Sequence, residues 1–224
     1  MGIITSEKVD QLWWMGRYTE RAFTSTKLLM KQLDEMIDKD RNSYIAFCEK
    51  MGVPNVFRSP ESFITDYAFD ESNPFSIISS IVRALDNAII LRETIGSETL
   101  AYLQLVLDEL RKHSLGDKSD YLRLQHAIDL ILAFWGSVED NVLDEPTRNI
   151  ARAGKRLERL DLCLRSGDLS GESLVTSCRR LRVRLERSAM PFNNDNLSTL
   201  EAVLTREPVN RDIALSLLSK VLDA

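Results

Sequence analysis

Across 224 residues the chain carries 44% hydrophobic and 28% charged residues, a balance that supports a sizeable folded core and excludes a disordered chain. Nine Gly and six Pro are too few for the many turns of a strand-rich fold. The net charge of −5 is unevenly spread: 11 Lys/Arg face 5 Asp/Glu between Pro146 and Met190, against 18 and 29 elsewhere, so the C-terminal half holds a basic region able to meet an anion.

Helical periodicity dominates the chain. A first helix is predicted from Ser6 to about Lys39, with Leu12, Met15, Ala22, Phe23, Leu29, Met30, Leu33 and Ile37 on one stripe. Asp40 to Ser43 breaks it, and a less regular stretch follows to Val56. Ser59-Pro60-Glu61 reads as an N-cap, a first-turn proline and an acidic first turn, opening a short helix to Phe69. Asn73-Pro74 repeats that chemistry ahead of a helix to about Thr94, and Ser97 reads as a cap for the next, which ends near His113. Asp117 to Glu139 is apolar over much of its circumference, which predicts the central, most buried helix. Pro146 to Arg165 forms another helix, closed by Ser166-Gly167. Two or three more fill Gly171–Ser188, Asn196–Thr205 and Pro208–Leu222. The expected fold is all-α: a bundle of about seven to nine helices in a single domain over 1–224, with an internal pseudo-repeat around 6–39 and 146–166.

The pseudo-repeat rests on an echo. Gly16-Arg17-Tyr18-Thr19-Glu20-Arg21-Ala22 and Gly154-Lys155-Arg156-Leu157-Glu158-Arg159-Leu160 both read Gly, basic, two residues, Glu, Arg, apolar. At ~100° per residue the apolar stripe lies about 70° to one side of Gly16 and about 80° to the same side of Gly154. The two elements therefore hold one orientation to the core, as a duplicated helical unit would. Glu and Arg fall more than about 100° from the stripe centre in both copies, off the main core. Trp13 and Trp14 flank these charges, which is unusual for a solvated surface, so another helix, a partner or a ligand should cover this face.

The stretch Leu12 to Ala22 resembles the N-terminal signature of the Alpha-E family, all-helical bacterial domains of unknown function named for a Glu-Arg motif that typically occurs twice. Gly154 to Arg159 is similar to the second copy. Ala84 to Arg92, with Asn87, and Ser97-Glu98 resemble the family's central segment, although Leu85 and Ile89 stand where that pattern has arginines. The resemblance implies no established reaction. It implies a role in peptide synthesis or modification beside a circularly permuted ATP-grasp ligase.

Candidate ligand- or partner-binding residues are Trp13, Arg17, Glu20, Arg21, Asn87, Arg92, Arg152, Lys155, Glu158 and Arg159. Arginine suits an anion because its planar fork grips carboxylate or phosphate in two places. In one reading the Glu-Arg pairs hold an anionic group; in the other each Glu bonds an Arg of the opposite copy and locks the bundle. A third makes Glu20 or Glu158 an acid/base beside an arginine clamp. Arg148, Arg152, Lys155 and Arg159 form one basic row and Arg180, Arg184 and Arg187 another. No aromatic row interleaves them, so nucleic acid is not the expected partner.

Cys48, Cys163 and Cys178 are odd in number and scattered, which predicts free buried thiols rather than disulfides or a zinc site. His113 and His126 stand alone, so no metal is expected. No phosphate-cradling loop or nucleophile motif is present, so no cofactor is expected either. No apolar run approaches the ~20 residues of a membrane span, and Met1 to Asp10 lacks the pattern of a signal peptide. A cytoplasmic protein, as a homodimer or in a heteromeric complex, is the resulting expectation.

Overall fold

A computed structural model describes residues 5–113, 120–167 and 173–222. Among them are eleven helices and no strand: α1 Ser6–Asp38, α2 Tyr44–Met51, α3 Pro60–Phe69, α4 Ile77–Ile90, α5 Arg92–Ile95, α6 Ser97–Arg111, α7 Asp120–Asn141, α8 Glu145–Ser166, α9 Leu174–Ser188, α10 Asn194–Leu204 and α11 Arg211–Ser219. The sequence count of seven to nine falls short by two local events. The irregular stretch after Ser43 closes into α2, which buries Tyr44, Phe47, Cys48 and Met51 and ends on Gly52 in the left-handed conformation. The helix expected to reach Thr94 breaks at Leu91, and the one-turn α5 follows.

Side-chain caps set most starts. Ser59 accepts from Ser62 N while Ser62 accepts from the Ser59 amide, a reciprocal capping box ahead of Pro60. Asp144 caps α8, which stops at Gly167, again left-handed. Two expected starts move. Ser76, not Asn73, caps α4, because Asn73 instead holds the turn by accepting from the Phe75 amide. Gly96 precedes α6 with φ 83°, so Ser97 is the first helical residue rather than a cap.

The centre of the bundle is the α1/α8 pair. α1 packs chiefly on α8 and α4, α8 also on α9, and α6 on α7, while α10 and α11 pair and lean on α9 and α8. α7 is not the most buried helix: Leu122 is 71% exposed and Leu132 52%. Its core side, Leu124, Ala127, Ile128, Ile131, Phe134 and Val138, packs inward, while Tyr121, Leu122 and Leu132 lie on the surface. Ile37, expected on the α1 stripe, is also exposed, and Met36 takes the inward place. No helix among the described residues is long and apolar enough to cross a membrane.

Candidate functional site

The site begins with two glycines. α1 and α8 cross so closely that a Cβ at Gly16 would collide with the Ala151 carbonyl, and one at Gly154 with the Trp13 carbonyl. Only a residue without a side chain lets two helix backbones approach in this way. The contacts are reciprocal, since each glycine touches the residue three places before the other. Trp13, a candidate ligand-binding residue, is thereby packed against α8 and buried.

One turn further on, each glutamate crosses to the other helix. Glu158 accepts from Arg17 Nε at 2.7 Å and from Arg21 Nε at 2.6 Å, one arginine on each oxygen. Glu20 accepts from Arg159 Nε at 2.6 Å. The residue numbers of these contacts rise together along both helices, so α1 and α8 run parallel here. Both glutamate side chains are fully buried, unlike their expected place off the core, because α8 covers the second face of α1. Burial works against the Arg21 charge, but Glu158 outweighs it and holds the Arg21 pKa above its ordinary value. A buried carboxylate bound at both oxygens satisfies most of what desolvation demands of it.

The contacts of Glu20 are less complete than those of Glu158. Lys155 occupies the position of Arg17 but does not bond Glu20. Its ammonium lies 4.0 Å from the centre of the Trp135 ring. Glu20 Oε1 takes both Arg159 and the Thr24 hydroxyl (2.9 Å), leaving buried Oε2 with no partner. Burial, then the neighbouring arginines, push the Lys155 pKa down to about 8, although Glu20 pulls the other way.

Outside the clasp sits an aromatic and cationic edge. Trp14, 38% exposed, stacks on Tyr18 at 5.3 Å. Arg17 lies over Trp14 at 4.6 Å, and Arg21 and Arg83 flank Tyr18 at 5.8 and 5.7 Å. Sequence reasoning missed Arg83, whose only signal was its place one turn before Asn87 in the central segment. Asn87 and Arg92 have local partners: Asn87 donates to the Arg83 carbonyl at 2.6 Å, and Arg92 to Ser97 Oγ at 3.0 Å. The expected basic row on α8 divides, with Lys155 and Arg159 turned to Trp135 and Glu20 while Arg148 and Arg152 meet Glu139. Cys48 and Cys178 are buried free thiols, pushed by burial up to about 11. No group of three or more potential metal ligands occurs among the described residues.

An all-helical bundle organised by two glutamate-arginine crossings defines a class of helical domain rather than a known catalytic centre. The family model for Alpha-E, described as a predicted alpha-helical domain with a conserved ER motif, matches residues 4–205, and the chain belongs to that family. No curated protein and no solved structure matches it.

Proposed function

We propose that this protein is a non-catalytic, accessory component of a peptide synthesis or modification system, docking a partner on the edge of its Glu-Arg face. The observation that carries this reading is the closure of the clasp. Glu158 is committed at both oxygens to Arg17 and Arg21, and Glu20 at Oε1 to Arg159 and Thr24, which supports carboxylates that shape the face rather than react. What the clasp presents outward is Trp14 on Tyr18 with Arg17, Arg21 and Arg83 around them. Exposed tryptophan and arginine of this kind are the residues that anchor protein interfaces. The partner class, a circularly permuted ATP-grasp ligase, follows from the family resemblance. We also infer that α1 and α8 are copies of one duplicated unit, supported by the reciprocal glycine and glutamate contacts.

The test is direct binding of purified chain to such a ligase, followed by sedimentation velocity. A folded Trp14→Ala/Arg83→Ala variant should bind at least about tenfold more weakly than wild type. Equal binding by the variant, or none by wild type, contradicts the reading. Self-association lost in the same variant would instead make the face a homodimer surface.

One observation favours a second reading, an enzyme with a helical active site: the unpartnered Glu20 Oε2 beside a lysine titrating near 8. There Glu20→Gln and Lys155→Met would each abolish turnover of a peptide substrate without loss of folding, and retained turnover would exclude it.

A further inference from the structure

α8 turns a second charged face towards α9. The two helices run antiparallel: Arg184 Nη1 donates to Asn149 Oδ1 at 3.0 Å, and Arg187 reaches Glu145 at 3.7 Å. Arg148, Arg152 and Arg156 therefore follow one another along α8, one turn apart, opposite Arg187, Arg184 and Arg180 on α9. Eight residues of helix span about 12 Å. Among the described residues, the four arginines at the Arg148 end meet Glu139, Glu145 and, through Arg148, Asp144. Arg152 reaches Glu139, yet burial and the guanidiniums of Arg184 and Arg156 still hold its pKa below the ordinary value. Burial, then Arg187 and Arg148, do the same to Arg184. Arg148 Nε is buried without a hydrogen-bond partner. At the other end the rows open into a cavity of about 470 Å³ lined by Arg156, Thr176, Arg179, Arg180, Val183 and Arg184.

Like charges aligned at this spacing raise the energy of the empty groove and lower it once an anion lies between them. We propose that the α8/α9 groove binds a short chain of phosphates. Guanidinium forks on both walls match tetrahedral oxyanions in sequence, and the Thr176 hydroxyl, hydrogen-bonded to Ser173 Oγ at 2.9 Å, lies at the open end. Among the described residues no aromatic side chain lines the cavity, so none of them stacks on a base there. The groove thus recognises the phosphate chain itself, whether free or carried by a nucleotide. This site is separate from the Glu-Arg face and stands or falls without it.

The experiment is calorimetric titration of the full chain with inorganic tripolyphosphate, ATP, AMP and a triglutamate peptide at low salt. Tripolyphosphate and ATP should bind with affinities within about threefold of each other, and AMP at least about tenfold more weakly. An Arg184→Gln/Arg187→Gln variant should lose about tenfold or more for both polyphosphates, whereas Arg58→Gln, outside the groove, should lose nothing. The double variant sheds mutual repulsion, so its melting temperature without ligand should not fall below that of wild type, which separates lost binding from lost folding. Absence of tripolyphosphate binding by wild type, undiminished binding by the double variant, ATP binding over about tenfold tighter than tripolyphosphate, or equal binding of triglutamate would each overturn the proposal.

Discussion

One helix, α8, faces two opposite electrostatic environments. Towards α1, buried glutamates meet arginines across the crossing, Glu158 with Arg17 and Arg21 and Glu20 with Arg159. Towards α9, guanidiniums face guanidiniums, and Arg152 and Arg184 titrate below their ordinary values. The comparison teaches what buried and clustered charge reports. Opposite charges placed reciprocally at a glycine-tight crossing specify how two helices meet. Like charges placed in rows repel one another even where individual arginines also bond Asn149, Glu139 or Glu145, and an anion between the rows would relieve that repulsion.

The largest effect should come from breaking the crossing at its glycines. Gly16→Ala or Gly154→Ala puts a Cβ into the carbonyl of Ala151 or Trp13, and the helices must separate. We expect roughly 3–5 kcal/mol of lost stability in urea unfolding, with all buried contacts beyond the crossing loosened.

Next comes the clasp itself. Glu158→Gln leaves two partly buried guanidiniums without their carboxylate, and the expected cost is about 3 kcal/mol. Glu20→Gln breaks one ion pair, with Arg159, against two at Glu158, and its Oε2 had no partner to lose, so the cost should be about half as large. Equal costs would remove the asymmetry that separates the two glutamates.

Lys155 sharpens that asymmetry through pH. Its folded pKa is near 8 against an ordinary 10.5, so between those values the unfolded chain holds more protons and stability rises with pH. Below about 8 both states are protonated and the full penalty of the buried charge applies. Lys155→Met should therefore stabilise the protein at pH 7 by roughly 1–3 kcal/mol, and the gain should shrink as pH rises towards 10. A gain that stays constant with pH would mean that packing, not charge, is responsible.

The smallest effect belongs to the α9 face. Without an added anion, Arg184→Gln should change stability by no more than about 0.5 kcal/mol, in the stabilising direction, because lost repulsion offsets the lost bond to Asn149. Added sodium chloride should narrow the difference between variant and wild type in thermal unfolding, since screening acts on the repulsion.

Much of this architecture was legible in the sequence. The bounds of α1 and α8 followed from apolar spacing, and the α3 start and the α8 stop from Ser59-Pro60 and Gly167. α2 was not legible, because two turns give too little periodicity and Ser43 makes no side-chain cap bond. The break at Leu91 carries no glycine or proline to mark it. For the site, phase showed that both Gly-basic-x-x-Glu-Arg elements hold the same orientation, but a single apolar stripe per helix placed the glutamates away from the core. α1 is buried on two faces, one apolar and one built from Gly16, Thr19 and Glu20 against α8, and an average over one stripe cannot register the second. Arg83 and Trp135 reach the two Glu-Arg elements from α4 and α7, through tertiary packing that local spacing does not encode.

The central claim is that reciprocal Glu-Arg contacts fix how α1 and α8 meet, and double-mutant cycles on Glu158/Arg21 and Glu20/Arg159, using glutamine at every position, test it most directly. The account predicts a favourable coupling of about 1–3 kcal/mol for each pair, with the Glu158 pair the stronger. Coupling below about 0.3 kcal/mol in both cycles would mean that the two helices are held by apolar packing alone, and would contradict it.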